Sequence, residues 1–180
     1  KKEYALTQIH VPHVSDAHLE GDIHLYDLDK PDRLHQVTLS PAMVATYGVG
    51  LPGAPDFASP PRNAITFLAQ LAKATAGFQA CVAGPIHWDA VNYHFAPYVR
   101  ELSPQELQQF AQMMVYEFAY RALAHGGDGP GTELRLYWNV PAHLADQKVA
   151  GPEGLVPDCT YRALEHPAQQ LAWKFLEVLA

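Results

Sequence analysis

A long and largely apolar stretch from Ser59 to Leu102 constrains the fold of this chain most strongly. It begins with Pro60 and Pro61, which suit the first turn of a helix because that turn needs no backbone N–H donor. Apolar and small side chains then recur at helical spacing, at Ile65, Leu68, Ala69, Ala72 and Ala76. Gly84-Pro85 stops this helix, and the residues from Trp88 to Tyr98 predict a second one. The stretch therefore predicts a buried hairpin of two helices.

One face of the first predicted helix carries only small side chains. They are Ala69, Ala72, Ala76 and Ala80. Gln70 and Gln79 are polar positions in the same, otherwise apolar run. Because the distance between two packed helices depends on the side chains at their contact, a face this small lets another helix approach closely.

The chain of 180 residues is long enough for a hydrophobic core, and we predict a single domain over residues 1–180. Hydrophobic residues make up 48% and charged residues 17% of the sequence, which is typical of a folded globular protein rather than a disordered one. The formal net charge of −7 argues against a nucleic-acid-binding surface, because the sequence has no Lys/Arg cluster to neutralise phosphates.

Membrane insertion and secretion are not predicted either. No apolar run is long enough to cross a bilayer, and the polar residues 1–4 lead into no apolar signal-peptide core. The two cysteines, Cys81 and Cys159, are far apart in the sequence and have no metal-ligand spacing. These features predict a cytoplasmic protein with two free thiols, with a single disulfide between them as the alternative.

Three histidines near the start of the chain suggest a metal site. His10, His13 and His18 are closely spaced, but no cysteine or carboxylate at a suitable spacing completes a ligand set. We therefore predict no bound metal, and a helical metal-binding domain built on these histidines remains an alternative hypothesis.

Residues 21–29 read Gly-Asp-Ile-His-Leu-Tyr-Asp-Leu-Asp. The alternation of Ile23 and Leu25 with His24 and Tyr26 predicts a short strand with the first pair buried. An acid-rich strand end beside a histidine suits the binding of polar substrate groups. The same pattern also fits an ordinary junction between a strand and a turn.

Three further elements are predicted in the second half of the chain. Ser103-Pro104-Gln105-Glu106 is a capping box with proline at the first helical position, and the helix that follows should stop at Gly126-Gly127. Alternation from Thr132 to Val140 predicts a strand, closed by Pro141. A last helix is predicted from about Glu165 to Ala180.

In their order along the chain, five segments resemble the catalytic subunit of the anaerobic (class III) ribonucleoside-triphosphate reductases, which are glycyl-radical enzymes. The segments are Ala17-His18-Leu19-Glu20 with the following residues 21–29, the pair Ala69-Gln70, the run from Trp88 and Asp89 through Asn92 to Ala96-Pro97-Tyr98-Val99-Arg100, the loop 149–154 with Thr160-Tyr161, and the helix end 175–179. The resemblance spans nearly the whole chain.

Two positions depart from the pattern of this family. Tyr26 stands where a second histidine is usual, in a motif otherwise written Gly-Asp-Ile-His-(Ile/Leu)-His-Asp-Leu-Asp. The relatives also carry a substrate-side cysteine that takes part in the redox step, and the corresponding residues Gln36 to Ser40 include no cysteine. Ser40 is the nearest isostere, but its hydroxyl cannot perform one-electron thiol chemistry.

The resemblance implies an α/β fold, namely a mainly helical portion of a ten-stranded glycyl-radical-enzyme barrel with a few short strands. In the relatives the thiyl-radical loop and the glycyl-radical C-terminus lie beyond the region that this chain covers. We therefore expect no activity from this chain alone and no cofactor bound to it. The glycyl radical of the full enzyme is installed by an activase that uses an iron-sulfur cluster and S-adenosylmethionine.

The resemblance also implies functional residues and partners. His24, Tyr26 and Ser40 are candidates for the substrate side, where a ribonucleotide binds, and His24 or Tyr26 should then point into a cavity. Gln70 lies on the helix that forms the two-fold dimer interface in the family, where a deoxynucleotide effector binds. The expected partners are a second copy of the chain, the remainder of the reductase or a partner chain, and the radical activase.

A different function remains open at this point. A non-catalytic binding or assembly module descended from the family is favoured by Tyr26 and by the missing cysteine.

Overall fold

The computed structural model describes residues 1–50, 56–119, 131–152 and 154–180. Seven α-helices are described, in this order: α1 Lys2–Tyr4, α2 Pro12–Glu20, α3 Ala42–Tyr47, α4 Ala64–Phe78, α5 Val91–Val99, α6 Pro104–Ala119 and α7 Glu165–Leu179. A π-helix, Ala5–Ile9, follows α1, and a 3-10 helix, Tyr161–Leu164, precedes α7. In the described residues, none of the helices is both long and apolar enough to span a membrane.

Short strands form two small sheets. Strands β1 Val37–Leu39, β2 Ile86–Trp88 and β3 Thr132–Leu134 make a parallel sheet in the order β1-β2-β3. Strands β4 Lys148–Gly151 and β5 Gly154–Thr160 form an antiparallel pair. The α/β fold class predicted from the sequence is confirmed.

The two faces of the parallel sheet differ in polarity. One face joins the main hydrophobic core together with side chains of α4, α5 and α6. It carries Val37, Leu39, Ile86, Trp88 and Leu134. Because successive side chains of a strand point to opposite faces, the other face carries polar side chains. They are Gln36, Thr38, His87 and Glu133.

A buried hydrogen bond connects β2 to α4. The indole Nε1–H of Trp88 donates to Thr75 Oγ1 at 2.8 Å, and the Thr75 hydroxyl donates in turn to the Leu71 carbonyl at 2.8 Å. Trp88 and Thr75 are both fully buried. The bond therefore satisfies the single polar atom of the largest side chain in the core.

Helix α5 lies in the centre of the molecule, and all nine of its residues are buried. Its Asn92 uses its amide fully: Nδ2 donates to the carbonyls of Tyr137 and Ala168, and Oδ1 accepts from the Tyr137 N–H. A buried amide with all these partners carries little desolvation penalty. Asn92 thus connects α5 to the chain beyond β3 and to α7.

Both helices of the predicted hairpin form, and Phe67 of α4 stacks on Phe95 of α5, but a strand that was not predicted lies between them in the chain. Residues Ile86–Trp88 form the central strand of the sheet, so α4 ends at Phe78 and α5 begins at Val91. All three residues of β2 are buried between β1 and β3. This long-range pairing overrides the helical spacing of the local sequence.

The start of α4 also differs from the prediction. The helix begins after Asn63, whose side chain accepts from the Thr66 N–H while Thr66 Oγ1 accepts from the Asn63 N–H. This reciprocal capping box sets the first turn, so Pro60 and Pro61 precede the helix instead of opening it.

The strand predicted at Ile23 and Leu25 is absent, and Ile23 is 43% exposed. Among the described residues no strand pairs with this segment, and its Leu25 N–H donates instead to His18 Nδ1. The strand predicted from Thr132 to Val140 ends at Leu134, because the Tyr137 N–H turns to Asn92.

Two predicted helix boundaries are confirmed, and a third lies outside the described residues. The capping box of Ser103 and Glu106 is formed at the start of α6, and α7 covers the predicted last helix. The predicted helix stop at Gly126-Gly127 falls in the part of the chain that is not described.

Replacing Thr75 with Val should destabilise the fold by about 1–3 kcal/mol, because the buried indole N–H of Trp88 loses its acceptor. Urea denaturation of the wild type and of Thr75→Val measures the difference in the free energy of unfolding. Thr75→Ser retains the hydroxyl and serves as the matched control. A Thr75→Val variant as stable as the wild type would contradict the importance of this bond.

Candidate functional site

Polar residues follow each strand of the parallel sheet directly. Ser40 comes after β1, Asp89 after β2 and Arg135 after β3. The backbone holds these strand ends together, since the Asp89 N–H donates to the Leu39 carbonyl and the Arg135 N–H donates to the Trp88 carbonyl, both at 2.9 Å. Ligands of open α/β sheets bind outside the carboxyl ends of the strands, so this edge is the candidate site.

Asp89 is the anion of this edge. Its Oδ1 accepts from the Tyr137 hydroxyl at 2.9 Å, and its Oδ2 lies 3.2 Å from His143 Nε2. The hydrogen bond to Asp89 raises the pKa of Tyr137. The carboxylate is 20% exposed and is therefore held by two protein partners while still within reach of a ligand.

The residue after Asp89 has an unusual backbone conformation. Ala90 has φ 48° and ψ 40°, the left-handed region that residues with a Cβ rarely adopt, and it is fully buried. This turn ends β2 and begins α5 within two residues. Strained backbone of this kind clusters at functional sites, where the surrounding structure maintains it.

His94 of α5 lies beneath the strand ends and is 1% exposed. Its Nδ1 is 2.9 Å from the Tyr161 hydroxyl, and its Nε2 is 3.3 Å from Ser40 Oγ. Burial lowers the pKa of His94 to about 4, against an opposing effect of Asp89 and with a smaller lowering effect of His143. The imidazole is therefore neutral at neutral pH.

We call these residues the strand-end cluster. It consists of Ser40, Asp89, His94, Tyr137, His143 and Tyr161. The cluster offers a carboxylate, two phenols, two imidazoles and a hydroxyl at one edge of the sheet. Such groups exchange hydrogen bonds with hydroxyl and phosphate oxygens.

Of the substrate-side candidates, only Ser40 belongs to the cluster. His24 and Tyr26 lie in a row of rings, with centroid distances of 5.5 Å from His18 to His24, 4.6 Å from His24 to Tyr26 and 5.0 Å from Tyr26 to His35. His24 is exposed and Tyr26 is 67% exposed. In this structure both side chains therefore face solvent, and the expectation that His24 or Tyr26 points into a cavity is wrong for it.

Gln70 does not itself line a cavity of about 570 Å³ but bonds to Ser59, which lines that cavity together with Pro60, Arg62, Pro152 and Gly154. Its Nε2 donates to the Ser59 carbonyl at 2.8 Å, whereas its Oε1 is buried without a partner among the described residues. On the small-residue face of the same helix, Ala69 is exposed and Ala72 is buried within the chain.

The described residues contain no group of three His, Cys, Asp or Glu side chains that could hold a metal ion. The histidines at positions 10, 13 and 18 thus form no such group there. Cys81 and Cys159 are both free thiols.

Sequence reasoning missed most of the strand-end cluster. In the sequence, Asp89 belongs to a family motif and Tyr161 to a Thr-Tyr pair. His94, Tyr137 and His143 carry no local sequence signal. The missing signal was β2: if Ile86–Trp88 is read as a strand, Asp89 becomes the first residue beyond its carboxyl end.

The family model described as anaerobic ribonucleoside-triphosphate reductase matches residues 1–180. No curated protein sequence matches the chain significantly.

Several solved structures share the fold. Crystal structures of the anaerobic ribonucleotide reductase from Thermotoga maritima align with this chain. The form with dATP in the specificity site has a TM-score of 0.75 at 12% identity, covering 93% of this chain and 29% of that one. The complex with dATP and CTP has a TM-score of 0.72 at 13% identity with the same coverage. The form with citrate in the active site has a TM-score of 0.73 at 13% identity, covering 99% and 33%. The chain thus spans about a third or less of the length of these proteins.

The low pKa of His94 predicts a pH dependence of stability. Unfolded histidine takes up a proton near pH 6.5, whereas folded His94 does so only near pH 4. The contribution of neutral His94 to the free energy of unfolding is therefore fully present above pH 6.5. It is lost as the pH falls towards 4, by at most about 1.4 kcal/mol per pH unit. Denaturant titrations at several pH values measure this fall.

His94→Gln removes the titrating group and should reduce the fall in the free energy of unfolding at low pH. His13→Gln, at an exposed position, is the control and should leave it unchanged. An equal pH dependence in His94→Gln and the wild type would show that another group is responsible.

Proposed function

Because this chain belongs to the anaerobic ribonucleoside-triphosphate reductase family, we propose that it is part of an anaerobic ribonucleotide reductase. It contributes substrate-side and effector-side surface to the radical reduction of ribonucleotides, and thus to the synthesis of DNA precursors. A cytoplasmic location belongs to the same proposal.

The strand-end cluster is the observation that carries the proposal. A ribose presents hydroxyl groups, for which the Asp89 carboxylate is an acceptor and the Ser40 hydroxyl is a partner. Arg135 is an exposed cation at the same edge and complements a phosphate group. Carboxylate, hydroxyl and guanidinium together match the polar groups of a ribonucleotide.

The sheet itself supports the ten-stranded barrel. In the described residues, β1 and β3 are edge strands, each with one unpaired side. An unpaired strand edge is a template for further strands. Among the described residues, α4, α5 and α6 pack on the apolar face of the sheet, and in the proposed barrel the polar face of Gln36, Thr38, His87 and Glu133 becomes the interior.

The radical chemistry comes from outside this chain. Ser40 has no thiol to donate an electron or a hydrogen atom, and the glycyl radical and its activase belong to the remainder of the reductase or to partner proteins. The part assigned to this chain is to bind and orient the substrate.

The effector-side proposal rests on Gln70 and Arg62. Gln70 Nε2 donates to the carbonyl of Ser59, and Ser59 lines the same cavity as Arg62, so this helix is joined to the cavity wall. The guanidinium of Arg62, in the adjacent cavity, suits the phosphates of a deoxynucleotide. Exposed Ala69 on the same helix leaves room for a second copy of α4, so the homodimer places this helix at a two-fold axis.

A non-catalytic binding module of the same family is the second candidate. Ser40 in the cysteine position and the exposed Tyr26 favour it. Such a module would bind the same nucleotides without turnover, so nucleotide binding tests the site under both functions.

Replacing Asp89 with Asn should lower the affinity for CTP roughly tenfold or more, since a charged acceptor for the ribose hydroxyls is lost. CTP and dATP are suitable probes because the Thermotoga maritima enzyme has been crystallised with both. Isothermal titration calorimetry measures the change. Asp16→Asn, at an exposed carboxylate of α2, is the matched control. Equal CTP affinity in Asp89→Asn and the wild type would remove the ribose site from this edge.

Replacing Arg62 with Ala should weaken dATP binding roughly tenfold while leaving CTP binding unchanged, because the cation lies in the cavity beside Gln70. Arg33→Ala removes an exposed arginine elsewhere and is the control. Sedimentation of the same samples shows whether dATP promotes a dimer. A loss of CTP and dATP affinity together would argue against two separate nucleotide sites.

A further inference from the structure

His94 and Tyr161 are unusual because two titratable side chains are buried together next to the proposed substrate edge. Each is 1% exposed, and each lies among apolar side chains of the core. Their rings meet edge to face, with centroids 5.1 Å apart. Burying two polar groups is unfavourable unless they are hydrogen-bonded, so the direction of their hydrogen bonds determines what they can do.

The direction of the hydrogen bonds of His94 and Tyr161 follows from which of their atoms carry a proton. Burial raises the pKa of Tyr161 to about 12, against a lowering effect of the Ala150 backbone, so the phenol keeps its proton at neutral pH. Among the described residues, His94 Nδ1 at 2.9 Å is the hydrogen-bond partner of this buried hydroxyl, which therefore donates its proton to Nδ1. A neutral imidazole has a single N–H, which is then on Nε2.

The Nε2–H of His94 points at Ser40 Oγ, 3.3 Å away. The backbone N–H of Ala42 is also 3.3 Å from the same oxygen. Two donors thus occupy the acceptor sites of Ser40, and the serine proton remains available to a third group. Ser40 is exposed at the carboxyl end of β1, so that group comes from the substrate side.

A nucleophilic role for the Ser40–His94 pair does not fit this arrangement. A general base needs a free lone pair facing the nucleophile and a pKa near the working pH. His94 directs its proton to Ser40, and burial keeps its pKa far below neutral.

We propose that Tyr161 and His94 are positioning residues that fix the Ser40 hydroxyl as a hydrogen-bond donor to an oxygen of the bound ribonucleotide. The inference deepens the proposed function and rests on it. Of these three residues, only Ser40 touches the substrate; His94 sets the direction of the serine proton, and Tyr161 sets the tautomer of His94.

The tautomer can be observed without any ligand. Nitrogen-15 NMR of the imidazole side chains in the wild-type protein should show His94 protonated on Nε2 and unprotonated on Nδ1 at neutral pH. Tyr161→Phe removes the donor to Nδ1 and should shift the tautomer balance. Tyr93→Phe removes another buried hydroxyl, which bonds to the Trp138 carbonyl, and should not. A proton on Nδ1 in the wild type would overturn the proposal.

A double-mutant cycle tests the link to the substrate. Ser40→Ala and Tyr161→Phe should each lower CTP affinity about threefold to tenfold in calorimetry. The double variant should bind no more weakly than Ser40→Ala, because Tyr161 acts only through Ser40. Additive losses, or a loss in Ser40→Ala alone, would overturn the role of Tyr161. Cytidine and inorganic triphosphate as separate probes distinguish a ribose oxygen from a phosphate oxygen.

Failure of this inference is distinguishable from failure of the proposed function. CTP affinity that is sensitive to Asp89→Asn but unaffected by Ser40→Ala would overturn the positioning role alone. CTP affinity unaffected by either change would overturn the substrate site as well.

Discussion

The parallel pairing of β2 with β1 and β3 is the constraint on which the rest of the structure depends. Each strand is only three residues long, yet the pairing brings together chain segments about 50 residues apart. The Trp88 indole anchors the middle strand through its hydrogen bond to Thr75, and the apolar face of the sheet packs under α4, α5 and α6. Aligned in this way, the three strands place their carboxyl ends, and the polar residues that follow them, at one edge.

The buried polar groups of α5 extend this arrangement into the core. Asn92 and His94 would be unfavourable in an apolar interior without partners, and the fold provides a partner for each of their polar atoms. Satisfied networks of this kind specify one arrangement of the elements, because a shifted helix would leave several groups unpaired. The strained turn at Ala90 is tolerated for the same reason: its neighbours on both sides are fixed by β2 and by α5.

A division of chemical roles follows from these groups. The chain provides hydrogen-bonding and charged side chains at a strand edge, which suit the binding of a nucleotide. Ser40 has a hydroxyl and no thiol, so it provides a hydrogen-bonding group at this edge and not one-electron thiol chemistry. The chain spans about a third or less of the solved reductases that it matches.

The sequence by itself determined the elements whose signals are local. The capping box at Ser103, the last helix and the order of the family's motifs were all readable, because a cap involves residues three apart and a motif is contiguous. Only the tertiary structure decided that Ile86–Trp88 is a strand and that Ile23 lies outside any sheet. It also brought Ser40 to His94 across 54 residues, and Tyr161 to His94 across 67. Strand pairing and burial set such contacts, and both depend on distant partners that a local pattern does not contain.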